Sequence, residues 1–152
     1  MTVYLDTSSL VKLFIEEAGS DDVRALVAGA TVASSVVAYP EARAAFARRR
    51  RERTLTPRAF AAAKRALDGD WSTYVSVEVT ADVARQAGEL AERYRLRGFD
   101  SVHLASFVVI ASHAAHGDVA FSSFDTTLNR AADTWLRQAG RASVSRRRAP
   151  RS

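Results

Sequence analysis

The chain has 152 residues, 47% of them apolar and 26% charged, with no cysteine and a formal net charge of +5. A chain of this size buries about 70% of its unfolded surface, so one folded domain is expected and wholesale disorder is excluded. The lack of cysteine excludes disulfides, thiolate zinc sites and a cysteine nucleophile, and fits a reducing cytoplasm.

The chain opens Met1-Thr2-Val3-Tyr4-Leu5-Asp6, with no basic leader, so a cytoplasmic protein is expected. Thr2 to Leu5 is β-prone. Asp6-Thr7-Ser8-Ser9 offers N-cap oxygens to a helix through Leu10 and Phe14. Gly19-Ser20-Asp21-Asp22 is a turn and a fresh cap, leading into a helix through Val23, Leu26 and Val27 that stops at Gly29. Thr31-Val32-Ala33-Ser34 reads as a strand, with Ser35 capping a long helix that carries Tyr39, Ala44 and Phe46. Thr56 caps the next helix, with Pro57 at its first position. Tyr74 to Val79 alternates as a strand. Thr80 opens a helix with Val83, Ala87, Leu90 and Tyr94 on one face. Gly98-Phe99-Asp100 opens an apolar helix that ends at Gly117. Its charge-free stretch, Ser101 to Gly117, is too short and too rich in serine and histidine to span a bilayer, so no membrane contact is expected. Val119 to Ser122 is a strand. Asp125 caps a helix through Leu128, Ala131 and Leu136, which Gly140 ends, and Ala142 to Ser145 reads as a last short strand.

Strands alternate with helices, which specifies an α/β fold with a mainly parallel sheet of four to five short strands and helices on both faces. Five arginines and no acid lie in residues 141–152, so residues 1–140 carry equal numbers of acidic and basic residues. The expected organisation is therefore a single domain, 1–140, followed by a basic, disordered tail, 141–152.

The sequence has no GxxxxGK[ST] phosphate loop, no GxGxxG, no GxSxG elbow and no HExxH. His113 and His116, three apart, read either as a metal pair or as the wet end of a helix. The carboxylates say more. Asp6, Asp100 and Asp125 each fit an N-cap taken singly. Residues just past strand C-termini in a parallel sheet nevertheless converge on one crevice, and several aspartates there repel one another unless a cation sits between them. Capping does not explain Glu41. Its helical neighbours Val37, Ala38, Ala44 and Ala45 are all apolar, so it needs either an arginine partner or a metal.

Four segments resemble the PIN-domain family. They are Val3-Tyr4-Leu5-Asp6-Thr7-Ser8, Ser34-Ser35 followed by Glu41, Arg97-Gly98-Phe99-Asp100 heading a helix of small residues, and Ser122-Ser123-Phe124-Asp125. The match runs from Thr2 to about Leu136, and within the family it most resembles the VapC toxins of bacterial toxin–antitoxin pairs. One departure stands out: Pro40, just before Glu41, removes a helical N–H and threatens a kink.

The resemblance implies a PIN-like fold in which Asp6, Glu41, Asp100 and Asp125 gather as the catalytic set and ligate Mg²⁺ or Mn²⁺, hard ions that favour oxygen. It implies endoribonuclease cleavage of single-stranded RNA by a metal-activated water. Its implied partners are RNA, a small antitoxin whose C-terminal segment covers the site, and a second copy in a homodimer. Arg43, Arg95 and Arg97, with Arg93 beside them, are candidates to grip the RNA backbone; otherwise they are solvated helix-surface arginines. The run Arg48 to Arg53 reads as an RNA track, an antitoxin contact or a solvated helix end. The alternatives in function are a PIN-like binding module without catalysis and an RNA-processing nuclease outside toxin biology.

Overall fold

The structure is a computed structural model that describes residues 1–115 and 117–148, with the backbone alone described over 141–148. Thr2–Leu5 forms β1, whose Val3, Tyr4 and Leu5 are all fully buried. A strand buried on both faces needs helices on both, and the period of two divides its side chains between them. Val3 and Leu5 enter one core with Leu10, Phe46 and Leu67, whereas Tyr4 enters the other with Leu104, Phe107 and Leu128.

The element order follows the expected alternation. After β1 come α1 (Thr7–Leu10), a 3₁₀ turn at Val11–Leu13, α2 (Ser20–Val27), β2 (Thr31–Ser35), α3 (Ala38–Arg51) and α4 (Pro57–Trp71). Then come β3 (Val75–Val77), α5 (Ala81–Tyr94), α6 (Gly98–His113), β4 (Val119–Ser122) and α7 (Thr126–Arg148). The four strands lie in the order β3-β2-β1-β4, every pair parallel. The first core packs α1 to α4 on one face of the sheet, and the second packs α5 to α7 on the other. The α/β fold with a parallel sheet of four short strands thus stands as the sequence predicts. No helix among the described residues is long and apolar enough to cross a membrane.

Several local expectations need correction. Ser35 does not cap α3. It is the last residue of β2, and the helix is entered from Val37 with no side-chain cap. Pro40 does not kink the helix. It is the third residue of α3, where an N–H has no intrahelical acceptor to lose, and Glu41 already donates its N–H to the Val37 carbonyl at 3.2 Å. Gly140 does not end α7, and Ala142 to Ser145 is helix instead of strand. An interior glycine costs a helix about 1 kcal/mol relative to alanine, which does not oblige a stop.

The sheet's topology decides where chemistry can occur. The chain leaves β1 for β2 and β3 on one side and returns for β4 on the other, so the winding reverses at β1. Neighbouring crossovers diverge at such a point and leave a crevice at the strand's carboxyl end. Asp6 is the first residue beyond that end.

Candidate active site

Asp6 N-caps α1, its Oδ1 accepting from the Ser9 N–H at 2.9 Å. The Ser8 hydroxyl donates to both carboxylate oxygens (2.7 and 3.0 Å), and the Ser123 hydroxyl donates to Oδ2 at 2.7 Å. The turn after β4 is stitched to the turn after β1 by the same groups. Ser8 Oγ accepts from the Phe124 N–H at 2.8 Å, and Ser123 Oγ accepts from the Asp125 N–H at 2.9 Å. Asp6 as a residue is 5% exposed, and its carboxylate is held from three directions.

Glu41 stands in the first turn of α3 and is held by α1 and α6. Its Oε2 accepts from the Thr7 hydroxyl at 2.5 Å and faces His103 Nε2 at 2.9 Å, while His103 Nδ1 faces the Tyr4 hydroxyl at 3.0 Å. A carboxylate only accepts, so Nε2 carries a proton; in the neutral ring Nδ1 then accepts from Tyr4. Burial drives the Tyr4 phenol well above its ordinary pKa, which keeps it a donor. Burial also pushes the Glu41 carboxyl upward, but the hydrogen bonds from His103 and Thr7 outweigh it and hold the group below the usual glutamate value. The partner that Glu41 was expected to need is thus a histidine and a threonine, with no arginine paired to it among the described residues.

Asp100 lies in the first turn of α6 and accepts from Arg97 Nε at 2.8 Å. Asp125 caps α7, Oδ1 accepting from the Leu128 N–H at 2.9 Å, and its Oδ2 lies 3.7 Å from Arg97 Nη2. One guanidinium is therefore shared by two of the four acids. All four line a single open cleft of about 700 Å³.

Among the described residues, no three histidine, aspartate or glutamate side chains are grouped closely enough to hold an ion as they stand. Asp6 and Glu41 are tied to hydroxyls and His103, and Asp100 and Asp125 to Arg97. The donor chemistry fits a hard divalent ion, because the acids offer oxygen alone. The Arg97 side chain is 81% exposed, so the cation it places between two acids is held by a pair that water competes for.

The arginines expected at RNA divide. Arg97 lines the cleft but faces the acids. Arg43 turns to the Tyr39 hydroxyl at 2.8 Å and Asp68 at 3.1 Å, away from the cleft. Arg93 is tied to Gln138 at 2.8 Å. Arg95 caps α5 in the left-handed region (φ 55°) and does not line the cleft either. From the run at 48–53, Arg48, Arg49 and Arg51 line the cleft; Arg49 pairs with Glu17, which also holds Lys12 at 2.8 Å. The metal-pair reading of His113 and His116 falls in part on a residue outside those described. His113 Nδ1 lies 2.8 Å from the Val109 carbonyl.

The residues that sequence reasoning missed are Thr7, Ser8, Ser123, His103 and Lys12. Thr7 and Ser8 read as ordinary caps, and Ser123 lies 117 positions from the Asp6 it holds. His103 gave the same signal as Glu41, an ionisable side chain on an apolar helix, and Tyr4 and Glu41 lie 99 and 62 positions from it.

Comparison with known proteins adds kinship to this geometry. The PIN domain family matches residues 3–134. Ribonuclease VapC45 of Mycobacterium tuberculosis (strain CDC 1551 / Oshkosh) and ribonuclease VapC49 of Mycobacterium tuberculosis (strain ATCC 25618 / H37Rv) are each similar, at 45% identity over 109 residues. That span is 71% of this chain and 76% of theirs. The crystal structure of Mycobacterium tuberculosis VapC20, a sarcin-ricin loop cleaving toxin, superposes with a TM-score of 0.63. It covers 85% of this chain and 94% of that one, at 23% identity.

Proposed function

Because this chain belongs to the PIN-domain family, in its VapC ribonuclease branch, we propose that it is a metal-dependent endoribonuclease, the toxin of a toxin–antitoxin pair, acting on single-stranded RNA. The observation that carries the reading is that Asp6, Glu41, Asp100 and Asp125, drawn from four elements, line one cleft. Four carboxylates confined together repel one another, and a shared cation relieves that repulsion. The position of Arg97, between Asp100 and Asp125, supports the same need for positive charge.

Asp6, Asp100, Asp125 and Glu41 are the residues that would hold Mg²⁺ or Mn²⁺, which when bound supplies Lewis acidity toward water and the phosphodiester. The protein's own work is to aim the ligands. Ser8, Ser123 and the Ser9 N–H orient Asp6, while Thr7 and His103 orient Glu41. Arg48 and Arg51 supply the charge that draws a phosphate backbone past an acidic centre. The proposed partners are RNA, a small antitoxin whose segment covers this cleft, and a second copy in a homodimer.

Cleavage of a single-stranded RNA is expected only with added Mg²⁺ or Mn²⁺, is expected to stop with EDTA, and is expected to vanish in Asp6→Asn and Asp100→Asn. Undiminished cleavage by both folded variants, or in EDTA, overturns the metal site.

A further inference from the structure

Phe124 takes no part in holding the acids, yet its side chain lines their cleft and the residue is 48% exposed. By contrast, Phe46 and Phe107 are wholly buried. The Phe124 ring is wet but not loose. Its own N–H is fixed to Ser8 Oγ at 2.8 Å, and the Lys12 ammonium lies 4.1 Å from the ring centroid. Lys12 is itself buried and anchored by Glu17 and the Ala18 carbonyl, both at 2.8 Å. Gly19, at φ +87°, closes the other contact; a Cβ there would stand 2.6 Å from the ring edge. The ring is therefore ordered before any ligand arrives, which removes an entropic cost of binding. Its place beside the acids is set by the backbone, between Ser123, which bonds Asp6, and Asp125.

We infer that Phe124 is a stacking platform for one base of the RNA, seating the nucleotide next to the acids. The inference rests on the RNA reading above. A flat aromatic with cations near it in one groove is the combination that holds single strands, because every base has a π-face while the phosphates need cations. Arg48 and Arg51 supply the cations in the same cleft. An apolar peptide would need a continuous greasy wall, whereas the cleft beside the ring presents Lys12, Ser8 and the acids.

The test compares Phe124→Leu and Phe124→Trp with the native ring in an Asp100→Asn background, so that the RNA stays intact. The probe is a short single-stranded RNA carrying 2-aminopurine, with Mg²⁺ present. The native ring is expected to quench the 2-aminopurine at one position along the strand. Leu is expected to abolish that quenching and weaken binding about tenfold, and Trp to restore both; thermal unfolding of each variant checks its fold. Unchanged binding and quenching in the Leu variant overturns the platform while leaving the nuclease reading intact. The platform falls equally if the native protein binds the strand and quenches no position. A native chain that neither binds nor cleaves RNA overturns both.

Discussion

Asp6 has more donors than a helix cap requires. The Ser9 N–H alone would satisfy the cap; the hydroxyls of Ser8 and Ser123 add direction to the carboxylate. Ser123→Ala removes a donor from Asp6 and an acceptor from the Asp125 N–H together. It is expected to lower RNA cleavage about tenfold with little loss of stability, read from turnover beside a thermal melt; unchanged turnover would show that Asp6 needs no such aiming. Arg97 makes the opposite prediction. Because it competes for Asp100 and Asp125, Arg97→Ala is expected to tighten Mn²⁺ binding two- to fivefold in calorimetry, a range matching an exposed ion pair worth about 0.5–1 kcal/mol. Weaker binding would make Arg97 an ally of the metal. The acids were legible in the sequence because strand ends and an apolar helix face mark them. Their holders were not, because Thr7 and Ser8 look like caps, Ser123 meets Asp6 only across 117 positions, and the partnership of His103 with Tyr4 and Glu41 exists only once β1, α3 and α6 are packed.

Helix α6 is apolar around most of its circumference, because it lies between the sheet and two other helices; Asp100 and His103, at the cleft, are exceptions. Phe107, wholly buried, meets Phe121 at 5.0 Å, Tyr4 at 5.9 Å and Trp135 at 6.1 Å between ring centroids. Phe107→Ala is expected to cost about 3–5 kcal/mol in denaturant unfolding, since these rings come from three different elements and cannot all close the cavity. A loss under about 1 kcal/mol would mean that the second core is loosely packed. Most boundaries could be read in advance because the residues that set them act locally. Thr56 and Thr80 accept the N–H groups of Ala59 and Val83, and Asp125 that of Leu128, as their chemistry dictates. Ser35 misled because pairing with Val77 across the sheet outweighed its capping preference. Gly140 misled because a glycine permits a stop without enforcing one.

Over the molecule as a whole, charge is divided between a neutral body and a basic end. Removing residues 141–152 is expected to leave turnover at saturating RNA unchanged and to weaken RNA binding, with a shallower salt dependence. A tenfold loss of turnover would assign the end a catalytic part. Acid sensitivity is another global property. Burial raises the Glu17 carboxyl, but Lys12 and Arg49 prevail and hold it below its ordinary value, as His103 and Thr7 do for Glu41. A carboxylate depressed in the folded state lends stability that is complete above its unfolded pKa, about 4.3, and is lost as pH falls through the folded value. Unfolding midpoints are therefore expected to hold from pH 7 to about 5 and decline below, with a smaller decline in Glu17→Gln. An equal decline in that variant would place the acid sensitivity elsewhere.

The sheet's borders are β3, three residues long, and β4, four residues long. A foreign chain laid along either rim finds only a few unpaired peptide groups, too short a template for ordered growth. The brevity of its outer strands thus disfavours edge-to-edge stacking of the native sheet.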